Sequence, residues 1–300
     1  MDKWFNNNFE RERLRKYTKK RLNGKSYFNF LRLFSVTTWL IIFNVFVYLL
    51  VFFSIQVLGE EIIRDIVAIQ AESFFSGNIV TVISSMFVHF EVWHLMANMA
   101  TLFFVGSFVE KLIGRKRFFI LYIFAGIFAG LFYVTLSYFF GGSYLGAKIF
   151  GSPLTYAVGA SGAIFSMLGV LSILTPYASV YLIAGPILAI ILEAIFNAVI
   201  PNSPYLSILN LAVWIYLIFS IFSIFSLNPK ILKIALPLRM QFWVLPIIAI
   251  VPLIIIGLFV EIPIGNSAHL GGLLVGMSYA IYLRNKYKNK TDLIRRYFSK

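Results

Sequence analysis

Residues 37–57 read TTWLIIFNVFVYLLVFFSIQV, an apolar run with no charged side chain and only Asn44 and Gln56 as amides. A helix that crosses the hydrocarbon of a bilayer needs about 20 such residues, because no backbone polar group can be left unpaired there. Thr37 to Val57 is therefore a membrane span, and that reading decides the class of fold. Seven further stretches behave alike: His94 to Ile113, Phe118 to Phe140, Ala160 to Thr175, Val180 to Ile200, Tyr205 to Ser226, Phe242 to Val260 and Ala268 to Leu283. The fourth and eighth are short, glycine-rich and carry polar residues. Composition agrees, since only 13% of the 300 residues are charged and mean hydropathy is +0.85, against about 25% charged in soluble domains. The expectation is an all-α membrane protein, a polytopic helical bundle.

The formal net charge of +14 would suggest nucleic acid on a folded surface, but its distribution points to the membrane instead. If the first span starts inside and the rest alternate, 24 of the 26 Lys and Arg fall on the cytoplasmic side. Ten precede the first span; Lys111, Arg115, Lys116 and Arg117 follow the second; Lys230, Lys233 and Arg239 follow the sixth; seven lie from Arg284 onward. Only Arg64 and Lys148 fall outside. An odd error in the number of spans would invert one of these clusters, so eight spans with both termini cytoplasmic is the expected topology. No A-x-A-like site follows the first apolar run, so that span is expected to be retained. The expected divisions are a basic tail at 1–33, a membrane domain at 34–284, with a helical hairpin at 179–227, and a basic tail at 285–300. Leu58 to Val92 mixes Glu60, Glu61, Asp65 and Glu72 with Ile62, Ile63 and Ile66, as an amphipathic stretch in the interface does.

Polar side chains at membrane depth are costly and face a cavity or a partner. They gather at the outer starts of three spans: His89, His94 and Asn98 at the second, Gly159-Ala160-Ser161-Gly162 at the fourth, and His269 at the eighth. Ser161, between Gly159 and Gly162, is a candidate nucleophile, although alone this stretch reads first as a small-residue helix contact. His269 is the candidate base; its bland reading is an interfacial imidazole bonded to a loop carbonyl. Gly272 and Gly276 follow it as a G-x-x-x-G face that permits close packing on the fourth span. His94 and Asn98 share a helix face and, with the Ser161 amide, form a set of donors suited to an oxyanion; equally, they could bridge helices. His89 is read as shaping the loop. The chain has no Cys, and the His89-x4-His94 spacing is not that of a zinc helix, so neither metal nor other cofactor is expected. Glu193, alone in the fifth span, leaves a transporter as a rival; its bland reading is a hydrogen bond to Asn197.

Taken in order, His89-x4-His94-x3-Asn98-Met99, Glu110 with Gly114, Gly159-Ala160-Ser161-Gly162-Ala163-Ile164-Phe165 and Ala268-His269-x-x-Gly272-x3-Gly276 resemble the rhomboid family of intramembrane serine proteases. The resemblance runs from about Thr37 to Leu283. It implies a six-span core, with Ser161 as nucleophile, His269 as base, His94 and Asn98 at the oxyanion, and Phe165 against the catalytic imidazole. It also implies cleavage of single-span membrane proteins near the outer face of the bilayer, in a prokaryotic plasma membrane. Two departures stand out. The Trp-Arg pair often found in the family's first outer loop is replaced by Val80 and Thr81, and the hairpin at 179–227 is an insertion. The alternative is a non-catalytic rhomboid-like binding protein or a transporter using Glu193.

Overall fold

The computed structural model describes residues 34–201, 203–225, 229–259 and 265–298, so the expected tail at 1–33 lies outside them. Helix α1 (Val36–Leu58) is followed by three short helices in the first loop, α2 (Glu60–Val67), α3 (Ala71–Phe75) and α4 (Thr81–Ser84). The second span comprises α5 (Val92–Thr101), a π-helical turn (Leu102–Gly106) and α6 (Ser107–Ile113). Then come α7 (Arg115–Phe140), the loop helix α8 (Tyr144–Phe150) and α9 (Ser161–Leu174). Strand β1 (Ser179–Ile183) leads to the helix pair α10 (Ala184–Val199) and α11 (Leu206–Phe225), then to α12 (Pro229–Leu232), a 3-10 turn (Lys233–Ala235) and β2 (Pro237–Gln241). Helices α13 (Leu245–Phe259), α14 (Asn266–Lys286) and α15 (Lys288–Phe298) complete the chain.

A helix thus lies at each of the eight expected positions, and among the described residues three segments are long and apolar enough to cross a bilayer: Val36–Leu58, Val92–Ile113 and Arg115–Phe140. One expected boundary is corrected. Val180 to Ile183 belong not to the fifth span but to β1, which pairs antiparallel with β2 from Ser179 opposite Gln241 to Ile183 opposite Pro237. The β-branched and aromatic residues Val180, Tyr181 and Ile183 suit a strand, and an apolar run that short does not separate strand from helix by periodicity. The helix starts at Ala184, and Pro186 falls in its first turn, where proline's missing N–H goes unused.

Helix α9 is the buried axis: Met167, Val170 and Leu171 are wholly enclosed, and α14 and α7 pack along it. Lipid tails are as apolar as the side chains, so close contact rather than a hydrophobic effect holds such helices together. Small residues supply it. A Cβ on Gly272 would lie 1.8 Å from the Gly162 carbonyl oxygen, and one on Gly276 would lie 1.9 Å from that of Ser166. Gly169 completes the seam from the α9 side, 2.5 Å from the Leu273 carbonyl oxygen by the same measure.

Two backbone problems are solved by long-range contacts. The opening amides of α1 have no intrahelical acceptor; Glu110 accepts from Val36 N at 2.9 Å, Thr37 N at 2.8 Å and the Thr37 hydroxyl at 2.7 Å. The extended segment entering α9 is pinned to the first loop by reciprocal Ile69 and Ala157 backbone bonds of 3.1 and 2.8 Å, and Gly159 N donates to the Ser85 carbonyl at 2.9 Å. At the other end of the bundle, residues 288–298 form a helix whose Phe298 meets Phe108 edge to face at 6.0 Å.

Candidate active site

Ser161 opens α9, with Ala160 as its cap residue, so the amides of this first turn lack intrahelical partners and point their donors outward. Gly159 takes φ +119, a conformation that side chains rarely tolerate. Its bare Cα also makes room for a ring, because a Cβ there would sit 2.7 Å from His94 Nε2 and 3.4 Å from Asn98 Nδ2. The four expected groups thus converge around the start of α9.

His269 lies in the first turn of α14. Its Nε2 is 2.7 Å from Ser161 Oγ, a hydrogen-bond length, and Phe165 stacks on the imidazole with ring centroids 4.1 Å apart and planes 4° from parallel. Among the described residues nothing, carboxylate or other, hydrogen-bonds His269 Nδ1. The glycine seam sets this distance: Gly272 lies one turn after His269, against Gly162, which follows Ser161. Ser267, buried and two residues before His269, donates to the Phe150 carbonyl at 3.1 Å and fixes where α14 begins.

His89 does more than shape a loop. It precedes α5 and is fully buried; its Nε2 accepts from Asn98 Nδ2 at 2.9 Å, and the Ala160 amide lies 3.4 Å from the same atom. Its ring meets that of His94 edge to face at 5.0 Å. Burial, and then the neighbouring His94, push the His89 pKa down to about 3, which keeps the ring neutral and its Nε2 an acceptor. Helical periodicity could not reveal this role, since His89 stands outside the helix that carries His94 and Asn98. Gly169 and Ser267 also escaped the sequence reading: the one meets main-chain atoms of a helix far along the chain, at Leu273, Gly276 and Met277, and the other is an ordinary serine beside a loop. Glu193 is half-buried on α10, and Asn197 donates to its backbone carbonyl at 2.9 Å, so that bond leaves the carboxylate unused.

A hydroxyl–imidazole pair set among helices of a membrane bundle defines a class of proteins, and comparison with known proteins narrows it. The family model for the rhomboid domain matches residues 76–214, which include His89, His94, Asn98 and Ser161 and end within α11, before His269. Rhomboid protein 1, mitochondrial, of Saccharomyces cerevisiae (strain ATCC 204508 / S288c) is 35% identical over 111 residues, 36% of this chain and 29% of its own length. YdcA of Bacillus subtilis (strain 168), provisionally named a rhomboid protease, is 28% identical over 150 residues, 50% of this chain and 67% of its own. RHOMBOID-like protein 12, mitochondrial, of Arabidopsis thaliana is 27% identical over 135 residues, 44% of this chain and 40% of its own. The chain spans less than half of the yeast and plant proteins and about two thirds of the bacterial one. Residues 76–214 thus carry a rhomboid domain, and the chain is an integral membrane protein.

Proposed function

We propose that the chain is an intramembrane serine endopeptidase that cleaves single-span membrane proteins through a Ser161–His269 dyad. The observation that carries this reading is the 2.7 Å contact between Ser161 Oγ and His269 Nε2. In the proposed reaction Ser161 Oγ attacks the scissile carbonyl carbon while its proton passes to His269 Nε2. The oxyanion of the tetrahedral intermediate is met by the Ser161 amide, the second Nδ2 proton of Asn98 and His94. His269 then gives its proton to the leaving amine as the C–N bond breaks. A water molecule, deprotonated by the same ring, resolves the acyl-enzyme. Phe165 keeps the imidazole in plane through both transfers.

The charge bias supports a site that opens on the outer face of a prokaryotic plasma membrane, with both termini in the cytoplasm. The chain has no native Cys, so thiols introduced by Lys3→Cys and Lys300→Cys would test that arrangement, the expectation being labelling only after permeabilisation. The chemistry is tested with a fluorophosphonate probe and a model single-span substrate in liposomes. Wild type is expected to be labelled at Ser161. Ser161→Ala and His269→Ala should each abolish cleavage while still inserting, because nucleophile and base act as one unit. Substantial cleavage by either variant would refute the dyad, and a wild type that neither labels nor cleaves would favour the binding or transport alternative.

A further inference from the structure

The helix pair α10–α11 contributes nothing to the dyad, yet it separates the serine helix from the histidine helix in the chain. Its root is closed on itself: β1 pairs with β2, Tyr216 Oη donates to the Ile234 carbonyl at 2.8 Å, and Ala184 N donates to the Leu236 carbonyl at 3.2 Å. Near that root Phe108 of α6 stacks on Phe242 at 6.2 Å, joining the second span to the start of α13. Toward the site the two part company. Lys148 Nζ donates to the Leu258 carbonyl at 2.9 Å, so the far end of α13 is held by α8. The start of α5 is met instead by the helix pair, through Trp93 and Trp214, with ring centroids 5.2 Å apart.

Trp93 adjoins His94, whose ring lies over Gly159. The helix pair therefore touches the bundle a second time at the residue next to a proposed oxyanion donor. Neither indole is consumed by this contact: Trp93 is 37% and Trp214 40% exposed. Two half-open indoles beside a reaction centre offer a large, rigid apolar face at little cost in side-chain entropy, which suits an apolar helix arriving through lipid.

Resting on the proteolytic reading above, we propose that Trp214 is a specificity-determining residue: with Trp93 it forms an aromatic shelf beside His94 that seats the membrane-spanning part of the substrate. A shelf acts on substrate binding and not on the bond-breaking step. Loss of one aromatic contact corresponds to about 3- to 10-fold in affinity.

The test uses full-length chain in liposomes as wild type, Trp214→Ala and Trp214→Phe, with KM and kcat for a single-span substrate measured beside the rate of fluorophosphonate labelling at Ser161. Trp214→Ala should raise KM about 3- to 10-fold with kcat and labelling rate unchanged, and Trp214→Phe should recover most of the loss. Unchanged KM would overturn the shelf. Faster cleavage would overturn it too, in favour of a helix pair that bars the entrance, and a parallel loss of labelling would reduce Trp214 to structural support. If Trp214→Ala fails to accumulate, the Trp93→Cys/Trp214→Cys chain, otherwise free of thiols, should cross-link through a short bifunctional reagent; absence of a cross-link refutes the contact. Wild type that fails to label would instead count against the proteolytic reading itself.

Discussion

Asn98 has two amide protons, and one is committed to His89 Nε2 at 2.9 Å; the other is free for an oxyanion. Asn98→Ala should lower kcat by roughly 10- to 1,000-fold, the scale for loss of one such donor, and reduce probe labelling less than peptide cleavage. An unchanged kcat would make Asn98 a bridge between α5 and the loop. His89 adds a pH dependence. Its folded pKa lies near 3, against 6.5 ordinarily, so between those values the unfolded chain binds a proton that the folded chain refuses. The stability that His89 contributes is therefore fully present above about pH 6.5 and is lost as pH drops toward 3. The thermal midpoint in detergent should decline on acidification from pH 7 to 4, and His89→Gln should flatten that decline. The pairing of His94 with Asn98 was legible from their four-residue spacing. The part played by His89 was not, because it depends on the bend at residues 90–91, which sets a loop imidazole against the helix that follows it.

Among elements, the α9–α14 seam is where sequence and geometry meet most directly. Gly272 and Gly276 announced a close approach, and the backbone of α9 fills the space their missing side chains leave. Gly272→Leu should part the helices and stretch the Ser161–His269 contact; a displacement of about 1 Å can cost on the order of 100-fold in rate. Cleavage should be lost with insertion retained and a lower thermal midpoint. Gly271→Leu should be milder, but not silent. A Cβ there meets Phe132 Cβ at 2.9 Å, so α7 must give by a few tenths of an ångström, whereas a Cβ on Gly272 would overlap a main-chain oxygen outright. Full activity in Gly272→Leu would show that the seam does not set the dyad. Hydropathy located the spans because lipid imposes the same demand on every crossing segment. It could not find the β1–β2 pairing, where Val180 to Ile183 are as apolar as any span and only the partner strand at 237–241 decides the conformation.

Over the whole molecule, the order of polar motifs along the chain, together with alternating spans, brought three helix starts to one level, and the hydroxyl and imidazole meet there across 108 positions of sequence. What stayed hidden is lateral: which helix leans on which. The lean of α11 toward Trp93 leaves no trace in periodicity, since a span facing lipid on most sides is apolar all round. The same holds for α15, whose basic residues read as a solvated tail, while Thr291 and Phe298 dock it on the bundle.

The π-helical turn at Leu102–Gly106 makes the second span tolerant of an indel. Asn98 serves the site and Glu110 caps α1, and both face inward, at 7% and 6% exposure. Twelve residues apart, they would diverge by roughly 120° on a uniform α-helix. A wide turn absorbs one residue without advancing the helix, which cuts the divergence to roughly 20°. A surplus residue is thus stored inside the span, and removing it need not unscrew anything. Deletion of the exposed Phe104 should relax the segment to continuous α-helix, with Asn98 and Glu110 still in phase and substrate cleavage kept within about threefold. Deletion of Ala97, in the regular turns above, should rotate His94 by about 100° relative to Asn98 and abolish cleavage. Equal damage from the two deletions would show that the bulge holds no such reserve.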